Sequence, residues 1–534
     1  MQKIYLLYPK KIILLIAAVL FFAQISKAQS EYLPLSYQFY QKFNADVYSL
    51  NSSFHTSLRP YLIDTTIRHK YDELMKRGVD SNYKSWILRK IFNEHGFDEK
   101  TNEYTFFADF LPDLQLGRDF SDKINTYLNT RGYQIGGTVG SKFYFYSSGY
   151  EDQGRFPTYY SNYVEKTHFI PGEAYDRDVV TSPTRADWSY VTAIVSYTPI
   201  KQLNITLGQD KTFIGDGYRS ILLSDFSSAY PMLRLTANLG NVQYMIMVAN
   251  MEDMLLPRYD SFSNNRRKWA AFHYLDWNVT NRLSLGFFNA MIAADANDQG
   301  QTHGFDINYI NPIVYSSALG PQTPYRDHVL AGFTGKYKIL DKTAVYSQFL
   351  LDNYDQTSGP KNTTGFQIGV RGADLFKVTN LNYIIEYNTV SPYAYSSPQA
   401  ITNYTDYSQS LGDPLGANFK EALGIVNYSL GKFDIQGQAE YATYGLDPAK
   451  GTSYGKNVML PYPTTIPSNY TGQGIHTTLY YGEGTLSYLI NPKFNMRLEG
   501  GALLRDETNS LGSKKTVMFT FGLRSTFRDL YHDF

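Results

Sequence analysis

The sequence contains no cysteine. That excludes disulfides, thiolate metal sites, cysteine nucleophiles and an acylated lipoprotein anchor. Neither charge is in excess, since 49 Lys and Arg balance 49 Asp and Glu. No basic field is left to hold nucleic acid, which is therefore not an expected partner. Tryptophan is scarce at 4 residues, yet there are 33 phenylalanines and 48 tyrosines. Tyrosine at 48 of 534 residues, about 9%, is more than a soluble core can place with its hydroxyls satisfied, and it suits two boundaries between water and lipid.

Long apolar runs are lacking as well. The run Ile12 to Phe22 follows Lys10-Lys11 and precedes Ser26-Lys27-Ala28. A charged start, a short apolar stretch and a small-x-small cleavage site predict a secretory signal peptide over residues 1–28. The run is too short for a spanning helix, which needs about 20 apolar residues. A secreted chain without cysteine or a helical span is expected to be periplasmic, released, or a transmembrane barrel.

Signatures of catalysis and cofactor binding are also weak. No HExxH or His-x-His cluster occurs among the 9 histidines. Gly451-Thr452-Ser453-Tyr454-Gly455 matches G-x-S-x-G, but it follows Asp447-Pro448 in a polar loop with no helical pattern after it, unlike a hydrolase nucleophile turn. Asp352-Asn353-Tyr354-Asp355 lacks the remaining ligands and the glycine of a calcium loop. The stretch Leu207 to Gly240 carries Gly208, Gly215 and Gly217, but Lys211 precedes Gly215 and Asp216 stands where a phosphate-loop lysine would be. A dinucleotide fingerprint fails too, because Ser220 occupies the place of its third glycine. The chain is expected to be no enzyme and to need no cofactor or metal.

What is present is periodicity, and it changes along the chain. Ile67, Tyr71, Leu74 and Met75 fall on one helical face, with Asp64 or Thr65 as N-cap and Gly78 as stop. Tyr83, Ile87 and Ile91 repeat the pattern up to Gly96. Residues 29–103 are thus expected to form a periplasmic segment with two short amphipathic helices, packed as a pair. From Tyr104 the period becomes two. Leu203, Ile205 and Leu207 oppose Asn204, Thr206 and Gly208; Leu233, Leu235, Ala237 and Leu239 oppose Arg234, Thr236 and Asn238; Phe433, Ile435, Gly437, Ala439 and Tyr441 oppose Asp434, Gln436, Gln438 and Glu440. Leu381 to Tyr387 and Val517 to Arg524 alternate in the same way.

Sandwiches and propellers alternate too, but they show a polar outward face or a fixed repeat, and no fixed repeat is found here. Strands of about 9 to 11 residues with a polar inner face, joined by short turns and long Tyr/Asn/Gly/Ser loops, match an outer-membrane barrel. A mean hydropathy of −0.35 agrees, because only every second strand residue meets lipid. The expectation is an all-β transmembrane antiparallel β-barrel over residues 104–534, with about 18 strands (16–20) and a small N-terminal helical element. The stretches Glu151 to Arg185, Ser391 to Asn418 and Leu446 to Tyr470 read as outward loops. The closing strand is expected either to end near Phe527 with a short tail, because Arg528-Asp529 and His532-Asp533 break the alternation, or to run irregularly to the aromatic Phe534.

The most specific motif is Gly208-Gln209-Asp210-Lys211, Gly215-Asp216-Gly217-Tyr218-Arg219-Ser220, Leu222-Leu223-Ser224-Asp225 and Tyr230-Pro231. It resembles the region that capsule-assembly proteins of the Wzi type share with RemB-type gliding-motility outer-membrane proteins of Bacteroidetes. The resemblance implies a surface barrel of about 18 strands with a periplasmic helical element, no catalytic residues, and a role in handling surface polysaccharide or in adhesion during gliding. Read physically, the strand Leu203 to Leu207 enters a glycine-bent loop that points Asp210, Lys211, Asp216 and Arg219 toward the lumen or rim beside the rings of Phe213 and Tyr218. Such residues either bind sugar or plug the barrel. Asp210 and Arg219 are expected to be paired inside it, since an Arg on lipid at mid-bilayer costs ~2 to 4 kcal/mol. Outer-membrane lipid, surface polysaccharide and gliding or secretion machinery are the expected partners. A porin or substrate-specific channel is the second reading, and an outer-membrane enzyme the third.

Overall fold

Period-two alternation resolves into eighteen antiparallel strands that close on themselves. The computed structural model describes residues 31–534 except 180–183, 255–264, 297–301, 303, 313–326, 354–358, 361, 449–451, 464–468 and 529. The expected signal peptide lies outside the described residues, as do Gly451, Tyr354 and Asp355 of the two rejected motifs. The strands are β1 (Tyr104–Asp119), β2 (Ile124–Val139), β3 (Phe143–Arg155), β4 (Ala186–Ile200), β5 (Leu203–Asp210) and β6 (Tyr230–Leu239). They continue with β7 (Val242–Asp253), β8 (Arg266–Asn278), β9 (Leu283–Ala294), β10 (His328–Leu340), β11 (Thr343–Asp352) and β12 (Thr363–Gly372). The last six are β13 (Leu381–Val390), β14 (Phe419–Leu430), β15 (Phe433–Leu446), β16 (Ile475–Asn491), β17 (Met496–Asn509) and β18 (Gly512–Ser525).

Each strand pairs with the next in sequence, and β18 pairs with β1 from Met518↔Asp119 to Leu523↔Leu114, so no edge is left open. Below that seam, Phe97–Lys100 pairs with Thr105–Ala108, in the part of β1 that β18 does not reach. Strand lengths run from 8 to 17 residues, wider than the expected 9 to 11. One end of the barrel has only short turns, such as 201–202, 240–241 and 431–432; the other has the long connections 156–185, 211–229 and 391–418.

The alternation sorts side chains as the sequence predicts. Leu116, Leu207, Ile385 and Phe521 face outward and are more than 60% exposed, a band that only lipid can cover at low cost. Asn204, Thr206, Arg234, Glu386 and Glu440 face inward and are buried. The inner face is not polar all round, however. On β7 to β9 the inward Met245, Met247, Phe272, Tyr274 and Phe288 form one apolar cluster with Ile221, Leu222 and Leu223. Those positions need no water contact because a loop packs on them. The outward-facing His273 is covered in turn by Tyr309, whose carbonyl lies 3.1 Å from Nε2.

Three segments fill the lumen. The first is residues 31–63, with two helical turns that periodicity did not reveal, α1 (Tyr37–Gln41) and α2 (Asn44–Val47). The two anticipated helices follow. In α3 (Thr65–Leu74) the Asp64 carboxylate caps the N-terminus by accepting from the N–H groups of Thr66 (2.8 Å) and Ile67 (3.3 Å). Its Ile67 and Leu74 are buried against Phe39, Phe43 and Val47. The second, α4 (Trp86–Phe92), begins later than expected and buries none of its residues. It is held instead by Asn491 at the foot of β16, whose Nδ2 donates to the carbonyls of Lys90, Ile91 and Glu94. The two helices thus face different supports rather than forming a self-contained pair.

The second lumen segment is the connection 211–229, and the third is the tail after Ser525, described at 526–528 and 530–534. The closing strand stops at Ser525, as the broken alternation suggests, and the tail turns back inside. Phe534 does not complete a strand; its ring packs on Tyr159 and Tyr163, at centroid distances of 5.8 and 4.6 Å, near the long-loop end. The loop 156–185 there holds a further helix, α5 (Thr158–Thr167), which sequence reading treated as coil.

A fully hydrogen-bonded ladder of this kind resists detergent until heated. The purified protein should migrate faster on gels unheated than boiled, with circular dichroism dominated by strand; identical mobilities or a helical spectrum would contradict the barrel.

Candidate functional site

The glycine-rich connection between β5 and β6 reaches the opposite wall of the barrel. It leaves at strands five and six and bonds to β11 through β15, up to nine strands away in a ring of eighteen. Gln348 of β11 donates to the carbonyl of Ile214 (2.9 Å) and accepts from the N–H of Ile221 (2.9 Å). Gln367 of β12 donates to the carbonyl of Arg219 (3.0 Å).

Two glycines make this approach possible. Gly215 has φ +133°, and a Cβ there would stand 2.0 Å from Nε2 of Gln348. A Cβ on Gly217 would stand 2.4 Å from the Glu386 carboxylate. Gly208 plays a different part from the loop role expected of it. Strand β5 extends to Asp210, so Gly208 lies in the wall, where a Cβ would meet the Ala193 carbonyl at 2.0 Å. Asp210 likewise belongs to the strand end, and its carboxylate accepts from the N–H of Lys211 (2.8 Å).

Arg219 occupies the centre, with 1% of its side chain exposed. Nε donates to Glu421 of β14 (3.1 Å), Nη2 to Glu440 of β15 (3.3 Å) and to the carbonyl of Asp533 (2.6 Å), and Nη1 lies 3.3 Å from the Asp533 carboxylate. The backbone N–H groups of Tyr218 and Arg219 both donate to Glu386 of β13, at 3.0 and 3.1 Å. Tyr218 donates its hydroxyl to Asp533 (2.7 Å) and meets Tyr37 edge-to-face at 4.6 Å. One residue pair therefore ties the connection to the wall, the tail and α1.

Asp216 makes the second junction. Its carboxylate accepts from Tyr48 (2.7 Å), Ser57 (2.8 Å) and Thr56, and Lys336 of β10 stands 3.8 Å away. Burial alone would raise its pKa, but Lys336 and the three hydroxyls outweigh burial and hold it down at about 2. Phe213-Ile214 pairs with Leu58-Arg59 in a two-stranded ribbon, and the Arg59 guanidinium lies 4.6 Å from the Phe213 ring centre. Lys211 is buried and donates to the carbonyls of Gly172 and Asp225, the latter at 2.9 Å. At the long-loop end, Tyr395 and Tyr404 donate to the carbonyls of Ile221 (2.7 Å) and Leu222 (2.6 Å).

Lys211, Phe213, Asp216, Tyr218 and Arg219 are thus brought together within the lumen, but they bond to the protein itself. Sequence reading missed their partners Tyr48, Thr56, Ser57, Glu386, Glu421 and Asp533. Glu386 and Glu440 were legible as inward-facing strand residues, but nothing local pairs them with a loop 150 or more positions away.

The fold is that of a known barrel. The chain superposes on Wzi, described as an outer membrane protein involved in group 1 capsule assembly in Escherichia coli and a carbohydrate-binding β-barrel, with a TM-score of 0.55 at 12% identity. That match covers 93% of this chain and 100% of Wzi. The outer membrane protein OprD of Pseudomonas aeruginosa matches with a TM-score of 0.43 at 10% identity over 80% of this chain and 95% of its own, and OccAB2 of Acinetobacter baumannii with 0.43 at 10% over 78% and 97%. No protein-family model matches the chain, and no curated protein matches its sequence.

Removing a buried guanidinium that serves three carboxylates leaves charge without a counter-charge, which costs about 3–5 kcal/mol. Arg219→Ala should therefore lower the thermal unfolding midpoint in detergent strongly while the protein still inserts, and Arg219→Lys should recover part of the loss. An unchanged midpoint would mean that the network is not structural. For Asp216 the depressed pKa fixes the sign: its stabilisation is complete above the unfolded value of about 3.9 and is lost as pH falls toward 2. Wild type should lose stability through that window more steeply than Asp216→Asn, as read from unfolding midpoints across pH 5 to 2.

Proposed function

We propose that the chain is an integral outer-membrane barrel, exported by its signal peptide, whose short-turn end and residues 29–103 face the periplasm and whose long loops face outward. Short periplasmic turns and long external loops are the usual arrangement of such barrels. Its function in this reading is non-enzymatic: it binds or organises surface polysaccharide, as a closed scaffold rather than a channel.

The observation that carries the reading is the connection 211–229, bonded to the opposite wall and locked there by Arg219. A diffusion channel needs a continuous aqueous path, whereas here residues 31–63, 211–229 and 526–534 cross the lumen and bond to one another. This disfavours the porin reading. The shared fold with a carbohydrate-binding capsule-assembly barrel supports the choice of polysaccharide, and so does the tyrosine-rich composition, since aromatic faces beside polar groups suit sugar rings. A place in gliding machinery is a finer proposal supported by the resemblance of residues 208–231 alone.

Deleting the gene and fractionating cell-bound from released polysaccharide is the test. Polysaccharide should shift from the cell surface to the medium and return on complementation. An unchanged distribution would overturn the reading.

A further inference from the structure

Between residues 53–66 and the feet of β5 to β7 lies a chamber of about 490 Å³ that the Arg219 network does not use. Its rim residues Ser53, Lys201 and Gly240 are exposed, so it opens at the short-turn end. The volume is that of a small-ligand site.

The chamber is lined by a cation with unused donors. Arg234 lines it, is 1% exposed, and donates through Nη1 to Thr212 (2.8 Å), while Nε and Nη2 have no hydrogen-bond partner. No carboxylate lies within ion-pairing distance of it among the described residues. Arg219, by contrast, has Glu421, Glu440 and Asp533 beside it. Buried guanidinium N–H groups without acceptors are costly, and Nε with Nη2 forms the edge that grips a carboxylate or phosphate through two parallel bonds.

The other walls define what carries the anion. The Arg234 guanidinium lies 5.0 Å from the ring centre of Tyr32, and Tyr61 and Phe54 face the same space. Two more polar atoms there have no partner: Oε1 of Gln243 and Nε2 of His55, whose Nδ1 is taken by Asp276 at 2.7 Å. Aromatic faces, an amide acceptor and a fork for one carboxylate fit an acidic sugar ring better than a bare anion, which needs no apolar wall.

We infer that this chamber binds a uronic-acid residue of an acidic oligosaccharide at the short-turn mouth, with Arg234 gripping the carboxylate. The inference rests on the polysaccharide reading and adds to it a charge class and a second, inner contact point. Calorimetry on the full-length protein in detergent, with trigalacturonic acid, maltotriose and inorganic phosphate as probes, tests it. Trigalacturonic acid should bind and maltotriose should not. Arg234→Gln should weaken binding at least tenfold, and Gln243→Ala severalfold. Thr212→Val, which removes the Arg234 contact to the plug but leaves the free edge intact, should bind as wild type, separating ligand loss from plug damage.

Binding of phosphate as tight as that of the trisaccharide would overturn the sugar assignment, and trisaccharide binding unmoved by Arg234→Gln would overturn the site. If the native surface polysaccharide binds and the acidic trisaccharide does not, the chamber inference fails and the polysaccharide reading stands. If no saccharide binds, both fail.

Discussion

A guanidinium that is 1% exposed must be matched by anions, and the protein gathers them around Arg219 from three separate parts of the chain. Glu421 and Glu440 come from neighbouring wall strands, and Asp533 comes from the tail that follows the closing strand. None of these acids is solvated well enough to stand alone, and the arginine cannot stand without them. The loop's crossing at Tyr218 and Arg219, the tail's return into the lumen and the orientation of Tyr218 meet at this one junction. Asp216 repeats the arrangement with opposite sign, anchoring the N-terminal segment through three hydroxyls and the wall through Lys336.

The barrel was legible because a strand with one face in lipid and one in the lumen writes its pattern locally. Leu233 with Arg234, or Ile435 with Gln436, declares its faces within a few residues. The α3 start was legible for the same reason, since Asp64 caps within its own turn. The plug was not, because its partners are remote: Tyr48 lies 168 positions from Asp216, and Asp533 lies 315 from Tyr218. The motif residues could be singled out by their glycines and charges, but whether they turned outward to a ligand or inward to each other depended on acids whose roles only the closed ring reveals. The apolar inner face of β7 to β9 escaped notice likewise, because methionine and phenylalanine on both faces leave no alternation to read.

The distribution of polar groups separates structural from available chemistry. Around Arg219 and Asp216 the charged groups are paired within the chain, which suits a rigid seal. Toward the short-turn end the accounting is incomplete at Arg234, His55 and Gln243, which share one chamber. On the proposed reading, a barrel closed in the middle and chemically open at its mouth holds a ligand rather than conducting one.

Closure is the central claim, and single-channel recording of the purified protein in planar bilayers addresses it most directly. Wild type should be near silent, while deleting residues 211–229 with a short linker across β5 and β6 should give large, stable conductance. Porin-like conductance from the intact protein would contradict the account.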